Sequence, residues 1–432
     1  MVKDIEKLFS KAEKLYKAMQ YKRAAKIFDT VGDAYLDSDS FELARDCFFD
    51  AAKCSINEEK YSIGIEFLRK TGNASLLNDN IPQANEFFRE AINYVPNLRS
   101  ASDRNQFLIL FACLSYLCYF IKGEQEEGLK LVKKIKTFVD DTYFKDHSLI
   151  HLISNLTMVI KEKDQKYVER IQKDFGNFNF WDAEILLAKQ ALVIAKVYAS
   201  LLVSLKFDKD VYTTNETINL LLTINTEPLL EITKQDFYNY ETKDLIISKI
   251  GMSLSDNLTM QKNPELPISI QIGQLQQINL LIKPHFQMEK PFIGPISLTS
   301  ELSGDLLFKY EISQTLVPNL ISPPPALEIS TKNLRPPLIE QTFPLEILIE
   351  NKSQGDALNL NIDAEFPEQI KVMRGTLKKQ IYSLRSNESI KWEINLKPIE
   401  AGDYAFSIAS KFNDPDQNLI EDKKEFTLVI KL

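Results

Sequence analysis

Glycine, cysteine and histidine are scarce in this chain of 432 residues, which has 13, 4 and 3 of them respectively. Neither the phosphate-cradling patterns GxxxxGK[ST] and GxGxxG nor the GxSxG turn of a serine hydrolase is present. No cysteine has a histidine partner in its sequence context. These absences predict that the chain is not an enzyme and takes no cofactor.

Two of the histidines could still share a metal. His147 and His151 are four residues apart, so they lie on one helical face, with Asp146 and Glu162 as further ligands. The residue after the first histidine is Ser148, whereas zinc peptidases have a glutamate there. We therefore expect no metal site, and metal binding by the histidine pair is the open alternative.

The charge balance is acidic, with a formal net charge of −8 and a pI of about 5.3. Phosphate backbones need clustered Lys and Arg, so no nucleic-acid partner is expected. Cys47, Cys54, Cys113 and Cys118 all lie in segments of helical pattern, and none lies in the second half. We expect buried thiols in a reducing compartment.

Long apolar runs are also few. The charged stretch 1–19 has no apolar run, so we expect no secretory signal and a cytoplasmic location. Residues 107–121 are apolar apart from Ser115, but a spanning helix needs about 20 such residues. A buried core helix is the expectation for this segment, and a membrane segment is the alternative.

The first half instead contains a repeat of twenty residues, in segments that start at Tyr21, Phe41, Tyr61 and Ile81. The fourth position of each is small, the eighth is large and apolar, and the eleventh is small or β-branched. Offsets of three, four and seven place these positions on one helical face. One helix cannot bury such a face alone, so the pattern predicts stacked helices.

Taken as pairs, these segments follow a known spacing. The first pair carries it at Phe28, Gly32, Tyr35, Ala44, Phe48 and Ala51, and the second at Leu68, Gly72, Ala84, Phe88, Ala91 and Pro96. This resembles a tetratricopeptide (TPR) array, and the 40-residue period resembles the SNAP family. SNAP proteins are adaptors that bind coiled-coil fusion complexes and recruit an ATPase. This chain has a short turn at residues 19–21 and continues into strands, so the resemblance implies the architecture only.

The resemblance also implies a ligand surface. TPR arrays bind ligands on their concave face, and their spacing places six polar residues there: Lys26, Asp29, Asp33, Glu66, Arg69 and Asn73. These are the predicted partner-binding residues. The alternative is a solvated helix face.

The pattern changes to alternation near Leu202 and predicts about seven short strands before residue 318, at 202–208, 216–226, 245–254, 267–272, 277–283, 295–300 and 305–317. The fold class predicted is a multidomain α + β chain: a helical TPR/SNAP-like α-solenoid over 1–203, an immunoglobulin-like β-sandwich over 204–317, a proline-rich linker over 318–325 and a second such sandwich over 326–432. Glu400 to Tyr404 resembles the acidic-x-Gly-x-Tyr corner of immunoglobulin-like folds. We expect the three prolines of the linker to hold the sandwiches apart.

This organisation predicts a non-catalytic interaction scaffold or adaptor whose helical groove holds a helix or peptide of a protein partner. Intracellular vesicle trafficking or membrane tethering is the preferred context by fold-level analogy, with peripheral membrane association through a partner. The alternative is an envelope or surface protein whose sandwiches bind glycan or neighbouring subunits. An enzyme with its site at the helical–sandwich junction is the third hypothesis.

Overall fold

A computed structural model describes residues 2–236, 244–285, 290–302 and 306–431, so the predicted domain ends at residues 1 and 432 lie outside it. A helical array comes first and antiparallel sheets follow, which confirms the predicted order. The helices are α1 (Val2–Lys17), α2 (Tyr21–Leu36), α3 (Phe41–Asn57), α4 (Tyr61–Leu77), α5 (Ile81–Tyr94), α6 (Ala101–Ile121), α7 (Gln125–Lys136), α8 (Asp141–Asp146), α9 (Ser148–Glu162), α10 (Gln165–Asp174), α11 (Asp182–Ser200) and α12 (Leu229–Asp236).

The four repeat segments each form one helix, and each helix begins at the predicted residue. The backbone repeats as well, because a residue in the left-handed region stands two positions before each helix: Met19, Asp39, Glu59 and Asp79, with φ of 57°, 54°, 55° and 54°. That residue turns the chain, and the next helix packs against the previous one. The twenty-residue period is therefore a property of the backbone and of the side chains.

The repeated side chains form the interfaces between these helices. All twelve residues at the fourth, eighth and eleventh positions of the four segments are buried. Phe88 of α5 packs so closely on α4 that a Cβ atom at Gly72 would lie 2.4 Å from its Cε1 atom. Phe48 of α3 approaches Gly32 of α2 in the same way, at 2.6 Å. The glycines are thus needed for close approach of helix to aromatic ring.

One of the later helical segments departs from the predicted pattern. The pattern predicts one helix over 143–161, but the chain is extended at His147 and forms α8 and α9 instead. The imidazole Nδ1 of His147 accepts a hydrogen bond from the amide of Leu149 at 3.2 Å, which caps the new helix.

Among the described residues only α6 is long and apolar enough to cross a membrane, and 72% of its most apolar stretch is buried in the fold.

The strands form two pairs of four-stranded sheets. The first pair has the orders β1-β3-β7-β5 and β6-β4-β8-β9, and the second has β11-β12-β16-β14 and β15-β13-β17-β18. Position by position the two pairs share one topology. The strands are β1 (Leu202–Phe207), β2 (Tyr212–Thr213), β3 (Ile218–Asn225), β4 (Asp244–Leu254), β5 (Leu258–Lys262), β6 (Ile268–Gln271), β7 (Leu275–Pro284), β8 (Ile293–Leu302), β9 (Leu306–Ile312), β10 (Leu320–Ile321), β11 (Leu327–Asn333), β12 (Phe343–Asn351), β13 (Ala357–Glu365), β14 (Ile370–Arg374), β15 (Lys378–Leu384), β16 (Ser389–Pro398), β17 (Gly402–Asn413) and β18 (Leu419–Ile430).

Alternating burial explains these strands, since Ile218, Leu220, Leu222 and Ile224 of β3 all point into the core. Helices α4 to α12 and the first sheet pair share one continuous core, whereas α1 and α2 pack with part of α3 in a smaller cluster and the second sheet pair has a core of its own. At the junction Tyr198 of α11 donates its hydroxyl to the Lys309 carbonyl at 2.8 Å. The predicted boundary at residues 203/204 lies inside β1, within this shared unit.

The proline-rich segment 318–325 contacts both sheet pairs. Leu320 pairs with Tyr212 in the short parallel ladder of β10 and β2. The amide of Ser322 donates to Asp416 Oδ2 at 3.0 Å in the second sheet pair. The expected spacer is therefore anchored at both of its sides, because its backbone groups find partners on each sheet pair.

Candidate partner-binding groove of the helical array

The predicted concave-face residues of α2 lie beside a lysine of α4. Lys26 and Asp33 are exposed, and Asp29 is half-buried. The Nζ atom of Lys70 lies 2.6 Å from Asp29 Oδ1 and 3.0 Å from Asp33 Oδ1. Burial opposes the charge of Lys70, but these two hydrogen bonds outweigh it and raise its pKa. The single charge of Lys70 is thus shared between the two carboxylates of α2.

The predicted residues of α4 divide into two groups. Glu66 is exposed, whereas Arg69 and Asn73 are buried against the first turn of α11. Arg69 donates Nε to Glu184 Oε1 at 2.7 Å and Nη2 to Oε2 at 2.6 Å. Asn73 Nδ2 donates to Oε1 at 2.9 Å. Two side chains of the repeat helices therefore hold one buried carboxylate.

The rest of this contact closes the carboxylate off from water. The amide of Trp181 donates to Glu184 Oε2 at 2.9 Å, and Glu184 is 0% exposed. The Trp181 ring stacks on the Arg69 guanidinium, with the carbon Cζ 4.0 Å from the ring centroid. Arg69 and Asn73 thus bind the chain's own α11, a contact that the sequence prediction did not include.

Sequence reasoning missed Glu184 because it lies 115 residues from Arg69. The available signal was local: an acidic residue three positions after Trp181, at the start of an apolar helix, is the pattern of a helix N-terminus. That pattern predicts a cap and gives no long-range partner. The binding roles of Lys26, Asp29, Asp33 and Glu66 stay predictions.

An open groove lies further along the array, between α5, α6 and α7. It encloses about 650 Å³. The floor of the groove is apolar, and its walls carry charged groups of both signs. The apolar lining is Ile92, Pro96, Leu108, Leu131, Ile135 and Phe138, and the polar lining is Glu86, Arg89, Glu90, Asn93, Arg104 and Lys134.

The α7 wall follows from helical spacing. Leu131 and Ile135 are four residues apart and face the groove, while Phe138 follows just beyond the helix end. One turn earlier on this face α7 packs closely on α6, since a Cβ atom at Gly128 would lie 2.9 Å from Tyr116 Cδ2. Phe138 stands at the rim and is 65% exposed. An exposed ring beside an apolar floor is a surface that a partner can cover.

The charges of the groove are not neutralised by one another. Arg104 donates to the Leu98 carbonyl at 2.6 Å and Arg89 to the Tyr119 hydroxyl at 3.2 Å, so both guanidinium groups bond neutral acceptors. Burial raises the pKa of Glu90, an effect that Lys53 partly opposes. A ligand with charges of both signs would therefore find complementary groups on the walls.

The histidines and cysteines take structural roles. His151 Nε2 lies 2.8 Å from the Lys145 carbonyl, and burial, helped by His151, lowers the pKa of His147. Over the described residues no group of three or more His, Cys, Asp or Glu side chains could hold a metal ion. All four cysteines are buried, and burial raises the pKa of Cys47 and Cys54 to about 12.

The sequence matches no family model, and no curated protein matches it. Among solved structures it is similar to a transglutaminase from red sea bream, at 10% identity and a TM-score of 0.21. The similarity covers 59% of this chain, and the chain spans about a third of the length of that structure, 34%.

This comparison contradicts the expectation that the chain is not an enzyme, because the solved structure is an enzyme. That expectation depended on missing motifs, and a catalytic site assembled from distant residues leaves no local motif. A TM-score of 0.21 is too low to transfer the activity of that enzyme to this chain.

Proposed function

We propose that the chain is a protein-binding scaffold whose helical array takes a helix from a partner in the groove between α5, α6 and α7. The observation that carries the proposal is the apolar floor of that groove, next to the exposed ring of Phe138. Amphipathic helices bind in such grooves through apolar residues spaced three and four apart.

The charges on the walls suit one class of partner helix. Its apolar face would cover Leu131, Ile135 and Phe138. Acidic residues on one flank would meet Lys134 and Arg104. Basic residues on the other flank would meet Glu90. Burial disfavours the charged form of this carboxylate and so raises its pKa. A nearby cation would stabilise that anion.

We propose further that the array is a TPR/SNAP-like solenoid and that both sheet pairs are immunoglobulin-like sandwiches. The left-handed residue repeated every twenty positions supports the first part. For the second, Tyr404 donates its hydroxyl to the Ala401 carbonyl at 3.4 Å, which resembles the tyrosine corner of such sandwiches. An adaptor at intracellular trafficking membranes is the context that we propose from this combination, by analogy of architecture alone.

Site-specific photo-crosslinking in the full chain tests the proposal. Phe138 is replaced by benzoylphenylalanine, and the matched control carries the same residue at Leu43, an exposed position of α3 (49%) outside the groove. The expected result is an adduct at 138 and none at 43, with the captured peptide mapping to an amphipathic helix. Equal labelling at both positions, or capture only of extended peptides, would contradict the proposal.

A further inference from the structure

The second sheet pair carries a cluster of cations on one flank. Between Glu368 and Glu388 the chain has five basic residues and no acidic one, although its net charge is −8. This stretch forms β14 and β15, which are the edge strands of the two facing sheets. Residues 373–377, which are the end of β14 and its connection to β15, are all exposed. We call Lys371, Met373, Arg374, Leu377 and Lys397 the edge patch.

A repulsive pair lies at the centre of the edge patch. Lys371 of β14 is directly opposite Lys397 of β16. Directly opposed like charges destabilise a sheet. Neither lysine has a carboxylate within salt-bridge distance among the described residues, and Arg374 has none either. Lys378, in contrast, is paired with Asp363 at 3.0 Å. The structure thus leaves three neighbouring cations without an anion.

The fold does not require these cations, as the first sheet pair shows. There β5 and β7 correspond to β14 and β16. The pairing of Leu258 with Pro284 matches the pairing of Ile370 with Pro398, which fixes the alignment. At the position of Lys371 the first sheet pair has Thr259, opposite Lys283. The same strand pair therefore forms without two opposed lysines.

Protection of the sheet edge explains only part of the patch. Lysines on an edge strand keep other strands from pairing with it. That role gives no reason for the exposed apolar side chains among them, Met373 at 56% and Leu377 at 39%. Cations around exposed apolar side chains are instead the combination that a membrane interface takes up, with charge at the headgroups and apolar groups below them.

We propose that the edge patch binds an anionic membrane surface, with Lys371, Arg374 and Lys397 at the phospholipid headgroups and Met373 and Leu377 in the apolar layer beneath. An acidic protein loop would use the cations and leave both apolar side chains in water. A partner strand is disfavoured by the charged edge itself. The inference is independent of the helical groove.

Co-sedimentation of the full chain with vesicles tests it, using phosphatidylcholine with and without phosphatidylserine, and polyglutamate as an acidic polymer. We expect binding only to vesicles with phosphatidylserine, weakened by salt. Each cation removed should lower the partition coefficient roughly fivefold. Lys371→Glu places a carboxylate opposite Lys397, so it should weaken vesicle binding without lowering the stability of the fold.

Two matched controls accompany this variant. Lys283→Glu makes the same charge change on the corresponding strand pair of the first sheet pair, at the position that matches Lys397, and should leave vesicle binding unchanged. Met373→Ser should weaken binding, whereas Leu275→Ser, at an equally exposed position (56%), should not. Failure to bind phosphatidylserine vesicles, equal losses with Lys283→Glu, or stronger binding to polyglutamate than to vesicles would each overturn the proposal.

Discussion

The buried carboxylate of Glu184 provides the sharpest test of how the helical array closes on itself. It is fully buried and accepts four hydrogen bonds, two from Arg69 and one each from Asn73 and the Trp181 amide. Replacement of Glu184 by Leu removes the anion and leaves the Arg69 cation in a buried site. Breaking a buried pair in this way costs about 3–5 kcal/mol.

The matching double substitution separates the pair from the packing around it. With Arg69→Met and Glu184→Leu together, no charge is left unpaired, so the double variant should be more stable than Glu184→Leu alone. Lys70→Ala is the control, since Lys70 forms a partly exposed pair with Asp29 that contributes at most about 1 kcal/mol.

Urea unfolding followed by tryptophan fluorescence is the assay. Trp181 stacks on Arg69 and reports on the helical array, while Trp392 lies in the core of the second sheet pair and reports on that core. The Glu184→Leu loss should appear in the Trp181 transition only. A loss below about 1 kcal/mol, or a double variant no more stable than Glu184→Leu, would refute the reasoning.

Two further predictions follow from local geometry. Gly72→Ala should destabilise the array by about 1–3 kcal/mol in urea unfolding, because its Cβ would lie 2.4 Å from Phe88 Cε1; Gly176→Ala, with no atom within 4 Å, should be close to neutral. Burial lowers the pKa of His147 in the folded chain. The neutral ring therefore contributes to stability above pH 6.5, the ordinary pKa of histidine, and this contribution is lost as the pH falls through the lower pKa of the folded state. His147→Asn, which caps Leu149 without titrating, should remove that loss in urea midpoints measured against pH, and an unchanged pH dependence would contradict this.

The helical repeat was predictable because its signal is local. Each repeat helix begins at its predicted residue, and the small and large residues at fixed positions set the packing of one helix on the next. The same holds for β12 and β16, which regular alternation in the sequence predicts at 343–351 and 389–397. Neither strand needs information from elsewhere in the chain to be recognised.

The features that sequence reasoning missed depend on distant residues. β5 was not predicted, because its five residues LTMQK carry little alternation and it is an edge strand. The groove takes its walls from three helices, and the ion pair of Arg69 and Glu184 crosses 115 residues. Local patterns in one sequence do not indicate which distant residues come into contact.

The central claim is that the groove between α5, α6 and α7 binds a partner helix, and an affinity measurement tests it most directly. The helix captured at position 138 is titrated against the full chain, Phe138→Ala and the control Leu43→Ala. Truncation of an aromatic side chain that the partner covers and desolvates costs about 2 kcal/mol or more, so Phe138→Ala should weaken binding by roughly thirtyfold while Leu43→Ala leaves it unchanged. Equal affinity for all three proteins would contradict the account.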